Sequence, residues 1–246
     1  MTDSLASGGA LLLGGISAGT PRGHTPDAAA GQAEAVFDRL EVALRDAGGA
    51  LQDVCKITMQ ITDRAFRQAI YSVMGRRLLG VRPVSTGLIV NGLADPQALF
   101  QLDAWAVPGG PHARLRPYRS TSMPYGSTHQ PFVAEFCMVV KAGRDVFLRG
   151  QTGMSLDGVF RGTGDAGEQA RVAMENVETL LADAGATLAD AVHATVYVTD
   201  RAWLRPALRA VVPRFAGSPV PITVLVVKGL AAPEIFMEVD VRAHVG

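Results

Sequence analysis

Near the end of the chain Glu238, Asp240 and Arg242 fall on alternate positions of an apolar and polar run. A strand there sets two carboxylates and a guanidinium in one row, which suits proton transfer and equally suits a surface charge ladder. Arg149 shares strand parity with Phe147 and Gln151 and precedes Gly150. His193 and Tyr197 lie two positions either side of Thr195 on the polar side of another run. The five histidines, His24, His112, His129, His193 and His244, are scattered without i, i+4 pairing, so no metal is implied. Cys55 and Cys137 stand apart with no CxxC or neighbouring histidine, and read as buried reduced thiols. Leu11-Leu12-Leu13-Gly14-Gly15 might be taken for a strand and phosphate loop, but neither nucleotide-loop glycine pattern follows. Its glycines fit a strand-end turn.

These residues must be positioned by a globular chain of 246 residues, 48% of them hydrophobic, with a formal net charge of +0. Without a basic surplus the chain has no means of neutralising a polyphosphate, and no run of about 18 apolar residues exists to cross a bilayer. Nucleic acid and membrane partners are therefore not expected. The acidic start, with Asp3, is unlike a secretory leader, and a cytoplasmic location is expected.

The elements occur twice. Asp46 through Phe66 aligns with Asp183 through Trp203 at a constant offset (200 − 63 = 137), and ten of these 21 positions are identical. Val36, Leu40, Ala43, Leu44 and Ala47 match Ala173, Val177, Leu180, Leu181 and Ala184, each set at helical spacing. Thr25-Pro26-Asp27 supplies a helix start, and Gly48 and Gly185 stand where helices end. Alternating strands follow over 56–62 and 193–199, then second helices from near Asp63 and Asp200. Closing strands are predicted over 84–90 and 100–107, and over 223–227 and 236–242, with opening strands over 10–13 and 145–149. The chain thus divides into a first unit over 6–106, a linker or arm over 107–131, and a second unit over 132–246. The arm, rich in Pro, Gly, Ser and Arg, is either a flexible connection or an ordered segment with a role.

Val146 through Gln151, Ala170 through Asn176 with Leu180, Ala184-Gly185, and Val196 through Asp200 resemble, in order, the signature of the Rid (YjgF-like) enamine/imine deaminases. The second unit resembles that family over nearly its whole length. The first resembles it more loosely, with Gly14-Gly15 in place of Gly150-Gln151 and Ile61-Thr62-Asp63 kept. The resemblance implies an α+β fold of two tandem YjgF-like (chorismate-mutase-like) units, each a β-sheet with two helices packed on one face. It also implies pockets between sheets where a small carboxylated imine or enamine is hydrolysed without a cofactor.

In that family an arginine grips the carboxylate, and a glutamate on the last strand handles the proton or the attacking water. The arginine position is Ser85 in the first unit and Ile222 in the second; the glutamate position is Gln101 and Glu238. Gln101 cannot exchange a proton near neutrality, so the first unit reads chiefly as a structural partner. The expected site therefore lies in the second unit. Glu238 is its catalytic group, and Arg149, Gly150, Gln151, Arg205 and the Ile222 position are its substrate contacts. Arg149 replaces a small pocket serine of the family and Arg205 a pocket asparagine; the plain alternative for each is a solvated surface arginine. Tyr125 and His129 would line a pocket only if the arm folds over it. Two alternatives stay open: a non-catalytic small-molecule binder or interaction protein, and a changed hydrolase or lyase chemistry, as in the related chorismatases and cyanuric acid hydrolases. The expected partners are a small-molecule substrate and other copies of the chain, as a trimer of two-unit chains or else a closed intrachain pair.

Overall fold

The computed structural model of the protein describes residues 3–7, 9–119 and 134–246. Thr25 starts the first long helix, α1 (Pro26–Asp46), by accepting from the Ala28 amide at 3.2 Å. Val36, Phe37, Leu40 and Leu44 of α1 are buried. Gly48, at φ +80°, takes the left-handed conformation that ends such a helix, and Gly185, at φ +71°, does the same in the second half.

The first half contains β1 (Asp3–Ser7), β2 (Ala10–Ser17), α1, β3 (Val54–Ile61), α2 (Arg67–Arg77), β4 (Val84–Ile89) and β5 (Phe100–Ala106). Next come β6 (Ala113–Leu115), β7 (Val139–Ala142), β8 (Asp145–Leu148), α3 (Ala166–Asp183), β9 (Ala191–Val198), α4 (Leu204–Val211), β10 (Ile222–Val226) and β11 (Met237–His244). The first sheet runs β1-β2-β5-β3-β4 and the second β10-β9-β11-β8-β7-β6. Both are mixed, because β3 with β4 and β9 with β10 pair in parallel across a helical connection. The fold is therefore α+β, with the order β2-β5-β3-β4 matched by β8-β11-β9-β10.

Two buried glutamines tie these elements together at the same offset (169 − 32 = 137). In α1, Gln32 donates to the Pro21 and Gln97 carbonyls, both at 2.9 Å, and accepts from the Leu99 amide at 2.7 Å. In α3, Gln169 donates to the Gly162 and Glu234 carbonyls and accepts from the Phe236 amide at 2.9 Å. Each amide thereby anchors the loop that leads into a central strand.

Strands β1, β6 and β7 go beyond the sequence prediction. They are edge or near-edge strands of three to five residues, too short to display an alternating pattern. β6 lies inside the stretch expected to join the units and pairs with β7 in the second sheet. Arg114 pins this stretch to the first half through the Gln52, Val54 and Arg82 carbonyls. As far as residue 119 the joining segment is an ordered arm. The expected boundary at 131/132, and with it Tyr125 and His129, lies outside the described residues.

The halves pack through Cys55, Val84, Cys137, Val140, Ala142 and Phe147. Burial pushes the Cys55 thiol up to about 12 and the Cys137 thiol up to about 11, which makes both poor nucleophiles. Lys56 of β3 crosses to the second half, pairing with Asp240 at 2.7 Å and donating to the Leu148 carbonyl at 3.0 Å. Thr86 of β4 donates to Asp240 at 2.8 Å. Lys56→Met should cost about 3–5 kcal/mol in denaturant unfolding, because it leaves a carboxylate buried without its cation. No described helix is long and apolar enough to cross a membrane.

Candidate functional site

Alternation along β11 puts Glu238, Asp240 and Arg242 on one face of the second sheet, turned toward the first half. Glu238 opens into a cavity of about 470 Å³ that both halves line. Only 5% of the residue is exposed. Burial, and then the charge of Asp240, push its carboxyl up to about 7; Lys56, Arg149 and Arg67 pull the other way without cancelling the effect. A carboxylic acid that keeps its proton near neutrality is a proton donor.

Gly150, where β8 has just ended, provides the space for this carboxyl. Its amide donates to the Ser85 carbonyl at 3.1 Å, so the two halves touch backbone to backbone here. A Cβ at Gly150 would come within 1.7 Å of Glu238 Oε1 and 2.9 Å of Thr86 Oγ1. Gly150→Ala should therefore displace Glu238 and strain the packing of the two halves, lowering the melting temperature by several degrees.

Three guanidiniums share the cavity with Glu238. Arg149 lies over the Phe136 ring at 5.8 Å. Arg67, on α2, lies over the Tyr71 ring at 5.0 Å, donates to the Tyr71 hydroxyl at 3.3 Å and bonds the Ala231 carbonyl of the second half. Arg119, from the joining segment, is 8% exposed and donates to Gln151 Oε1 at 3.2 Å and the Met154 carbonyl at 2.6 Å. Burial and then the neighbouring Arg149 lower its pKa to about 9, while Glu238 acts to raise it. At neutral pH Arg119 is still a cation. It is held beside a second cation, an arrangement that an anionic ligand relieves.

Of the residues singled out from sequence, the structure brings Glu238, Arg149 and Gly150 to this cavity, and Gln151 directly behind it as the prop for Arg119. Ser85 lines it as well. Arg205 is exposed on α4 and Ile222 lies on β10; neither lines the cavity. Asn176 supports it from α3, donating to the Met154 carbonyl at 2.8 Å. Arg67, Tyr71, Ser85 and Gly87 of the first half form one wall of this cavity. Arg67 and Arg119 escaped the sequence reading because they lie far along the chain from Glu238. The only signal was the arginine content of the arm. His193 bonds Thr223 at 3.1 Å, away from this cavity, and no cluster of described residues could hold a metal ion.

Residues 128–245 match the family model described as Endoribonuclease L-PSP. The crystal structure of a chorismatase superposes on 98% of this chain and 79% of its own, with a TM-score of 0.74 at 18% identity, a likeness of fold. A member of the YjgF/YER057c/UK114 family from Mycobacterium tuberculosis is 32% identical, covering 45% of this chain and 86% of its own, with a TM-score of 0.40.

Proposed function

The second half of this chain belongs to the YjgF-type Endoribonuclease L-PSP family, and from that premise we propose that the protein is a cofactor-independent hydrolase of a small, unsaturated, carboxylated metabolite. The observation that carries this reading is the buried Glu238 carboxyl, pushed up to about 7 by its surroundings, in one cavity with three guanidiniums. Guanidiniums suit carboxylates through paired N–H donors, and three of them suit a dicarboxylate better than a monocarboxylate. A cavity of about 470 Å³ is of metabolite size, and a chain of net charge +0 offers no cationic surplus for RNA, despite the ribonuclease in the family's name.

Enamines and enol ethers, two classes of unsaturated metabolite that fit this description, are electron-rich double bonds that react once carbon is protonated. In the proposed step Glu238 delivers its proton to the terminal alkene carbon, and an oxocarbenium or iminium centre forms at the substituted carbon. Water adds there and its proton returns to the Glu238 carboxylate. As the resulting hemiketal or carbinolamine breaks its C–O or C–N bond, Glu238 gives its regained proton to the leaving oxygen or nitrogen and takes up the hydroxyl proton, releasing a keto acid with an alcohol or ammonia. Arg119, Arg149 and Arg67 hold the carboxylates, so that the proton is delivered at a fixed carbon.

The likeness in fold to a chorismatase makes chorismate, a dicarboxylated enol ether, the first substrate to test. Incubation with chorismate, followed by lactate dehydrogenase and NADH, should reveal pyruvate. Ammonia from imines generated by an amino-acid oxidase, with no pyruvate from chorismate, would move the reading to a deaminase. Silence in both assays would favour a non-catalytic receptor.

We also propose that the chain associates with its own kind, with the trimer of two-unit chains as the arrangement to test. Strand β10 exposes Val224, Leu225 and Val226, whereas β4, its counterpart in the first sheet, has Val84, Leu88 and Ile89 buried. Light scattering should give a mass above one chain, and Leu225→Lys should reduce it.

A further inference from the structure

Lys56, Thr58 and Trp105 of the first half occupy the same places in its sheet as His193, Thr195 and Arg242 in the second (193 − 56 = 195 − 58 = 242 − 105 = 137). All six line a second cavity, of about 420 Å³, between the two sheets. Glu238, Arg119 and Arg149 do not line it. Two of the three equivalent pairs, Lys56 with His193 and Trp105 with Arg242, therefore meet across this space with unlike side chains, which gives it a polarity that two identical halves could not produce.

Lys56 and Asp240 pair at 2.7 Å and neutralise each other. Arg242 remains as the surplus cation: its guanidinium lies 4.3 Å from the centre of the Trp105 ring, and its Nε is buried without a hydrogen-bond partner. A buried N–H left unbonded costs stability unless a ligand accepts from it. Burial, reinforced by Asp240 and Glu238, pushes the Tyr197 phenol far above its ordinary range, so its hydroxyl remains a donor. Trp105 and the exposed Val192 add apolar lining.

We propose that this second cavity binds a small aromatic monocarboxylate, its carboxylate paired with Arg242 and its ring against Trp105 and Val192. One surplus positive charge matches one carboxylate, the planar guanidinium matches its two oxygens, and the apolar lining matches a flat ring. This proposal stands independently of the chemistry assigned to Glu238.

Benzoate is the probe. The chain has two tryptophans, Trp105 and Trp203, so a Trp203→Phe protein reports Trp105 alone. Benzoate should change its emission saturably below about 10 mM and raise the melting temperature. In that background Arg242→Met should weaken binding by about tenfold or more, and Arg119→Met should leave it unchanged. Val192→Phe, at an exposed position that a folded chain tolerates, should also weaken it by narrowing the cavity. The proposal is overturned by the absence of saturable binding, by undiminished binding in both Arg242→Met and Val192→Phe, or by loss in Arg119→Met instead. The last result would put benzoate in the Glu238 cavity.

Discussion

Replacing Glu238 with glutamine is expected to lower kcat/KM by about 100- to 10,000-fold, the usual contribution of a positioned general acid. The same change should make the protein more stable at alkaline pH. In the folded chain the carboxyl titrates at about 7, above its ordinary 4.5, because burial opposes its ionisation. The folded state thus holds this proton more tightly than the unfolded state does. Stability from this group is intact below pH 4.5 and is lost as pH rises through 7, where the accumulated cost is on the order of 3 kcal/mol. Glutamine does not ionise, so denaturant melts should find variant and wild type alike near the acid end and the variant more stable above neutrality. A residue kept only for packing would not reverse stability against activity in this way.

Replacing Arg119 with methionine has the second largest expected effect, and it falls on binding. Arg119 is buried beside Arg149, and an anionic substrate answers both charges at once. Loss of one charge-assisted contact made by a buried guanidinium should raise KM by about 100-fold, with kcat much less affected. Lysine at the same position should recover only part of the affinity, since an ammonium cannot offer two parallel donors. Steady-state kinetics of Arg119→Met and Arg119→Lys with the turned-over substrate provide the check.

The repeat made the fold readable. Paired helix starts, the Gly48 and Gly185 stops and the two alternating central strands are local signals, fixed by periodicity and backbone conformation, and the structure has those elements. The Gln32 and Gln169 staples share the repeat's offset, but their role is visible only once the loops they tie are folded against them. Strands β1, β6 and β7 carried no pattern because runs of three to five residues are too short to display alternation.

The candidate site was readable where one unit contains it. Glu238 stood out by strand parity and family resemblance, and Arg149 and Gly150 by their place at the end of an opening strand. Arg67 and Arg119 belong to a helix of the other half and to the joining arm, so only the packing of the halves brings them to Glu238. The same packing explains how Arg205 and Ile222 were picked out from sequence yet lie away from the cavity. Their expected role was carried over from the family pattern position by position, whereas this cavity takes its second wall from α2, β4 and the arm.

The central claim, a protonated Glu238 among three arginines, can be tested without a substrate. Infrared spectra recorded across pH detect the carbonyl stretch of a protonated carboxylic acid, and subtracting the Glu238→Gln spectra isolates this group. The predicted band persists through weak acid and disappears with a midpoint near 7. A band lost at the ordinary value of 4.5 would contradict the account, because Glu238 would then be an anion at neutral pH with no proton to give.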